Sequence, residues 1–357
     1  VKRARILAPC LLIAVTAVTG HATTIFNISG TTGDPLADAA FDQAASQWSA
    51  ILLDDVTINI TRASASLASG ALAQTSNNFT NYTYTQLRNA LIDDATSADD
   101  ATVVANLDPG SSLGMLINRT SNSPNGSGSA TPYVDNDGDA NNSTVHIANA
   151  NAKALGLLGP SAAVDGSITF NDAGGFVWDF DPSDGITAGA YDFVGIVAHE
   201  IGHFLGFFSG VDILDANSPP NGGPFPDNAF TFMSVLDIFR HSALSEASNV
   251  IDWTADSRSK YFSIDGGTTP ITTFSTGRTF GDGRQASHWQ DFLGIGIMDP
   301  TAGKGELLQL TNNDLLAFDA IGWNLTSVPE PSSIALGFVG LAAILVAKLE
   351  RSSATSR

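Results

Sequence analysis

The chain of 357 residues has one cysteine, five glutamates and only 16 lysines and arginines. A single cysteine excludes a disulfide framework within the chain. Five Glu stand against 31 Asp. Asp with plentiful Asn, Ser, Thr and Gly makes polar turns and oxygen sites for hard cations rather than long surface helices. The shortage of basic side chains gives a formal charge of −20, which excludes nucleic acid as the partner, because phosphate needs Lys and Arg to neutralise it. Apolar residues are abundant, at 43% against 15% charged. That balance excludes a wholly disordered chain, and the length suits one large domain or two modest ones with ample core.

The two ends differ from the rest. Lys2, Arg3 and Arg5 precede an apolar run from Ile6 to Val18, and small residues follow at Gly20 and Ala22. This is the layout of a secretory signal peptide over 1–22, and the run falls short of the ~20 residues a membrane span needs. Cys10 is unsuited to a lipoprotein role, since Pro9 stands where a small residue is wanted, and it leaves with the signal. The exported chain then has no disulfide and relies on size, packing and bound ions. At the other end, Val328-Pro329-Glu330-Pro331-Ser332-Ser333 precedes an apolar segment from Ile334 to Ala347 and a basic end from Lys348 to Arg357. This order and spacing resemble a PEP-CTERM sorting tail, over 328–357. The resemblance implies an exosortase-type partner acting near the Pro-Glu-Pro and transient membrane association through the tail. It also implies delivery to the envelope, matrix or medium of a Gram-negative bacterium. An ordinary single-span anchor is the alternative, and it too exports the bulk. Between 23 and 347 stand 10 basic and 35 acidic residues, a net charge of −25.

The remaining residues read as one unit without internal repeats. Ala39, Ala40, Phe41, Ala44, Ala45 and Trp48 keep helical spacing, and Val56 to Ile60 alternate as a strand, so 35–55 predicts a helix running into a strand. Leu87, Ala90 and Leu91 predict a helix over 84–94. The Asn/Ser/Gly/Asp-rich stretch 120–143 predicts loop, and Val145 to Ala148 and Ser167 to Phe170 predict short strands. Strands and helices alternate upstream of 206, which predicts an α/β (α+β) class with a mixed sheet.

One motif dominates: His199-Glu200-Ile201-Gly202-His203. Given six His and five Glu, chance produces an H-E-x-x-H in roughly one such chain in a thousand. Phe193, Val194, Ile196 and Val197 before it and Phe204 and Leu205 after it predict a largely buried helix from about Asp192. On a helix, positions four apart share a face, so both imidazoles reach one metal, with Glu200 beside them as general base. Zn²⁺ is the expected ion, since it brings the pKa of bound water to ~7.

Gly206, three residues past the second His, matches the metzincin extension H-E-x-x-H-x-x-G, in which the glycine ends the helix. The short pattern then requires a ligand at 209, where this chain has Ser209, a poor one. The third ligand must come from elsewhere: Asp212, His241 and His288 are candidates downstream, with His146 upstream. Ala286-Ser287-His288-Trp289, followed by Met298-Asp299-Pro300, resembles the leishmanolysin branch of metzincins, where a long insertion separates the helix from the third His. The resemblance implies His288 as third ligand, Met298 as the apolar Met-turn floor, and a helix ending in an aromatic-rich segment over Leu315 to Trp323. Upstream it is only general: Ile168 to Asn171 and Trp178 to Phe180 resemble the strand and loop before the active helix in matrixin-like enzymes. The cysteines of true leishmanolysins are absent. Asp212 then serves to order the turn after Gly206. Tyr191 and Tyr261 are candidates to stabilise an oxyanion, though nothing in the sequence places them there.

Asp135, Asp137 and Asp139 space oxygen ligands at alternate positions, as calcium loops do, but the twelfth position holds His146 instead of Glu. A solvated acidic turn is the alternative to Ca²⁺. The expectation is therefore a metzincin-like two-subdomain zinc endopeptidase acting on protein or peptide. Its N-terminal catalytic subdomain spans 23–206, and a mostly irregular C-terminal subdomain spans 207–327. The alternative is a non-catalytic envelope or matrix protein with a structural zinc site.

Overall fold

A computed structural model describes residues 23–326. The expected signal segment and sorting tail lie outside the described residues. In chain order the elements up to the H-E-x-x-H segment are β1 (Ile25–Gly30), α1 (Pro35–Ser49), β2 (Thr57–Ala65), β3 (Ala73–Asn77), β4 (Phe79–Thr83), α2 (Tyr84–Asp94), α3 (Ala98–Asn106), β5 (Met115–Ile117), β6 (Tyr133–Asp135), α4 (Ala140–Ser143), β7 (Thr144–Ala148), α5 (Asn149–Ala154), β8 (Gly166–Asn171), β9 (Trp178–Asp179), β10 (Tyr191–Asp192) and α6 (Phe193–Phe204). Then follow α7 (Val211–Asn217), β11 (Arg240–His241), α8 (Ala243–Ala247), β12 (Ile251–Asp252), β13 (Lys260–Phe262), β14 (Thr272–Phe274) and α9 (Asn312–Ala320). The chain is mixed α and β with several small sheets, in keeping with an α+β class. Among the described residues no helix is long and apolar enough to cross a membrane.

The largest sheet has the order β1-β2-β8-β3. β1, β2 and β8 are parallel, and β3 is the antiparallel edge, with Thr75 opposite Ile168. This is the mixed sheet that the alternation upstream of 206 predicts. α6 lies against β3, β8 and α1.

α1 forms because its start is satisfied and its apolar positions fall on one face. The Asp34 side chain accepts from Leu36 N at 2.9 Å, and Pro35 occupies the first turn, where a missing N–H costs nothing. Ala37, Ala40, Phe41, Ala44, Ala45 and Trp48 are buried. Each large side chain on that face contributes on the order of 2 kcal/mol by burial. Trp48 also donates from Nε1 to the Ala198 carbonyl of α6 at 3.0 Å, which satisfies its one polar atom inside the core.

Two expectations need correction. The helix at 35–55 stops at Ser49, and the strand begins at Thr57 and runs on to Ala65. The intervening residues bond the far end of the chain instead: Leu53 N to Asn324 O and Thr326 N to Ile51 O, both 2.8 Å. The stretch 120–143 is not all loop. Tyr133–Asp135 pairs with β5, and Ala140–Ser143 makes one helical turn capped by Asp139. Its polar composition conceals both elements because they are fixed by side-chain bonds, such as Tyr133 Oη to Asp227 at 2.9 Å and Asn142 Nδ2 to Leu113 O at 2.9 Å.

Beyond Gly206 the strands are two or three residues long, so this part is mostly irregular. Contacts cross position 206. β12 pairs parallel with β5, placing Ile251 opposite Met115, and α9 packs on α3. Buried apolar residues form one cluster from Ala37 to Trp323.

Candidate metal centre

α6 is capped by Asp192, whose Oδ1 accepts from Gly195 N at 2.8 Å while Oδ2 accepts from Leu308 N at 3.1 Å. The helix carries His199 and His203 on one face and ends at Phe204. Gly206 follows with φ +117°, a left-handed conformation, and its α-carbon faces Asn151 so closely that a Cβ would meet that side chain at 3.1 Å. Gly206 thus lies one residue past the helix C-cap, Leu205, in a conformation that turns the chain. Trp323 Nε1 donates to Leu205 O at 2.8 Å, satisfying a carbonyl that the helix end leaves free.

His199, His203 and His288 converge. Their ligand atoms lie within 4.8 Å of one another, and among the described residues they form the only such group of three. Nε2 of His203 is 3.0 Å from Nε2 of His288. His199 donates from Nδ1 to Ile297 O at 2.7 Å, and His203 donates from Nδ1 to Phe207 O at 2.6 Å. A proton on Nδ1 leaves the Nε2 lone pair free, which is how metal-binding histidines are oriented. Burial, with the neighbouring His199 adding to it, pushes His203 down to about 3. Burial and the two other imidazoles hold His288 well below its ordinary value as well. Both rings are therefore neutral at ordinary pH, with their donor atoms close together, and this donor set can hold a metal ion.

Met298 is fully buried against α6. Its sulfur lies where a side chain on Gly202 would be, since a Cβ there would sit 2.4 Å away. Asp314, the third residue of α9, holds this turn. It accepts from Trp289 Nε1 at 2.8 Å, Ile297 N at 2.9 Å, Met298 N at 3.3 Å and Thr311 N at 2.8 Å. Arg240, also buried, donates to Ser275 O at 2.7 Å and Ala286 O at 3.3 Å, bracing the irregular segment before His288. α9 begins at Asn312 and ends at Ala320, earlier at both ends than the predicted 315–323, because Thr311 and Asp314 form a capping box and Gly322 turns the chain at φ +90°.

Glu200 is 7% exposed. Burial raises its pKa, opposed by His199 and by a hydrogen bond from Thr75. Asp212 does not join the histidines, and its expected role in the turn after Gly206 is corrected: its carboxylate accepts from Ala286 N at 2.7 Å and Ser287 N at 3.1 Å, and also from the Ser287 hydroxyl. It holds the residues that present His288. The Ser209 hydroxyl is committed to Asp237 at 2.5 Å. His241 is buried in β11 beside Tyr261, and His146 donates to Asn81 Oδ1 at 2.6 Å while stacking on Phe79. Tyr261 Oη donates to Gly267 O at 2.8 Å, and Tyr191 packs among Phe176 and Trp178.

Asp135, Asp137 and Asp139 are not drawn together to ligand distance. Asp135 accepts from Asn141 Nδ2 at 2.7 Å, Asp137 from Asp139 N at 3.0 Å, and Asp139 caps α4. Asp135 is buried at the end of β6, so the three do not form one solvated turn.

Thr75, Asp314 and Arg240 were not legible as parts of the site. Thr311-x-x-Asp314 before an apolar run signals a helix start, but nothing local reveals that Asp314 also clamps the Met298 turn. No family model, curated protein or solved structure matches this chain.

Proposed function

We propose that this chain is an exported zinc endopeptidase of the metzincin type, with the third ligand separated from the helix as in the leishmanolysin branch. The observation that carries the reading is the convergence of His199, His203 and His288 with a buried Glu200 beside them and Met298 beneath. Three nitrogen donors with a neighbouring carboxylate suit Zn²⁺, which when bound supplies Lewis acidity that polarises a carbonyl and acidifies water. The protein's own part falls to Glu200. Its carboxylate takes the proton of the attacking water and returns it to the departing amine, so the proton count closes over the cycle. Among the described residues β3 is the outer strand of its sheet and lies beside α6, an edge for an extended peptide to pair with. Export through 1–22 and sorting through 328–357 belong to the same reading.

The test is metal content and casein hydrolysis of the purified protein, before and after chelation. One zinc per chain, with hydrolysis that disappears on chelation and returns with Zn²⁺, is expected. Stoichiometric zinc without hydrolysis would instead favour a non-catalytic envelope or matrix protein.

A further inference from the structure

Two side chains on one face of the edge strand grip the metal-binding helix. Thr75 and Asn77 are two residues apart on β3 and so point the same way. Asn77 Nδ2 donates to the His203 carbonyl at 3.0 Å. Thr75 Oγ1 lies 2.9 Å from the Glu200 carbonyl and 2.6 Å from Glu200 Oε2. A hydroxyl has one proton to give, and an ionised carboxylate is the stronger acceptor of the two. The short contact to Oε2 is therefore the one that receives it. No other side chain among the described residues bonds the Glu200 carboxylate.

We infer that Thr75 is a positioning residue for Glu200: its hydroxyl pins Oε2, leaving Oε1 as the oxygen presented to the attacking water. The inference rests on the endopeptidase reading above. An unpinned carboxylate turns about its last torsion, which is broad and two-fold, and spends part of its time out of line with the proton it must take. Misplacement of a reacting group by about 1 Å costs up to 100-fold in rate. The same hydroxyl reaches the helix backbone, so loss of activity alone would not separate positioning from packing.

The test uses the purified full chain with Thr75→Val, which replaces the hydroxyl by a methyl of similar size, and Thr75→Ser, which keeps it. Zinc content, Tm, and kcat and KM on an internally quenched peptide cleaved by the parent are measured for each. Thr75→Val should keep one zinc and a KM within about twofold, with kcat lower by about 10- to 100-fold; Thr75→Ser should recover most of kcat. A Thr75→Val kcat within twofold of the parent, a loss confined to KM, or a loss that Thr75→Ser shares would overturn the inference. Should Thr75→Val not fold, Thr75→Ala is read by the same criteria. A parent that holds zinc but cleaves nothing overturns the endopeptidase reading and this inference with it. An active parent with an unimpaired Thr75→Val overturns the inference alone.

Discussion

Gly202 stands between the two helix histidines, and the Met298 sulfur occupies the room its missing side chain leaves. Gly202→Ala would place a methyl 2.4 Å from that sulfur, so one of them must move. Overpacking of this kind costs about 1–3 kcal/mol, and a fall in Tm of several degrees by thermal melt is expected. An unchanged Tm would show that Met298 is not held against the helix. The ligand set makes a second prediction at this scale. On the proposed zinc site, His288→Ala should lose zinc, because one of its three protein ligands is gone. Asp212→Ala should stay folded but bind zinc about 10-fold more weakly, because the carboxylate that steadies Ala286 and Ser287 is lost. Zinc titration of the two variants checks both, and full affinity in His288→Ala would remove it from the site. His199, Glu200 and His203 were legible because one helix periodicity brings them together. His288 was legible only by resemblance, since 85 positions separate it from His203. Thr75 was not legible at all: a threonine in a polar strand looks the same whether or not a carboxylate lies across from it.

α9 does more than close the chain. Asp314, the capping-box partner of Thr311, is fully buried and ties Trp289, Ile297 and Met298 to the helix start. Gly296 must be glycine for this, as a Cβ would meet the Asp314 carboxylate at 2.1 Å. Asp314→Ala leaves a buried indole N–H and buried backbone N–H groups without an acceptor, each costing about 1–3 kcal/mol. A loss of about 3 kcal/mol or more by denaturant melt is expected, with weaker zinc binding because His199 bonds the Ile297 carbonyl. Stability within 1 kcal/mol of the parent would mean that the Met298 turn holds itself. α2 shows a clear period and spans Tyr84–Asp94, as predicted. β11 and β12, of two residues each, carry no period to read. Their positions come from distant partners, such as Met115 opposite Ile251, which no local pattern encodes.

Across the whole molecule the excess of carboxylates has a cost that falls at specific places. Asn324 Nδ2 bridges Asp94 at 3.0 Å and Asp54 at 3.3 Å, joining the end of the described chain to its first half. Burial, with Asp54, Asp100 and Asp319 nearby, pushes Asp94 up to about 7 from 3.8. The folded protein thus holds that proton more tightly than the unfolded chain. Its stabilising contribution is complete below pH 3.8 and is lost as pH rises through about 7. At pH 8 the charged Asp94 therefore destabilises the fold. Asp94→Asn, which keeps an oxygen for Asn324, should be more stable than the parent at pH 8 by about 1 kcal/mol, allowing for screening by water. The advantage should shrink at pH 5. Thermal melts at the two pH values check this, and a less stable Asp94→Asn at pH 8 would contradict it. The acidic balance was plain in the composition, but which carboxylates crowd together was not, because Asp54, Asp94 and Asp319 meet only on folding. The central claim, that Glu200 is the general base of a zinc centre, is tested most directly by Glu200→Gln, with zinc content and casein hydrolysis measured beside the parent. The account predicts one zinc per chain in both proteins and hydrolysis slower by about 10²–10⁴-fold in the variant; hydrolysis at the parental rate would contradict it.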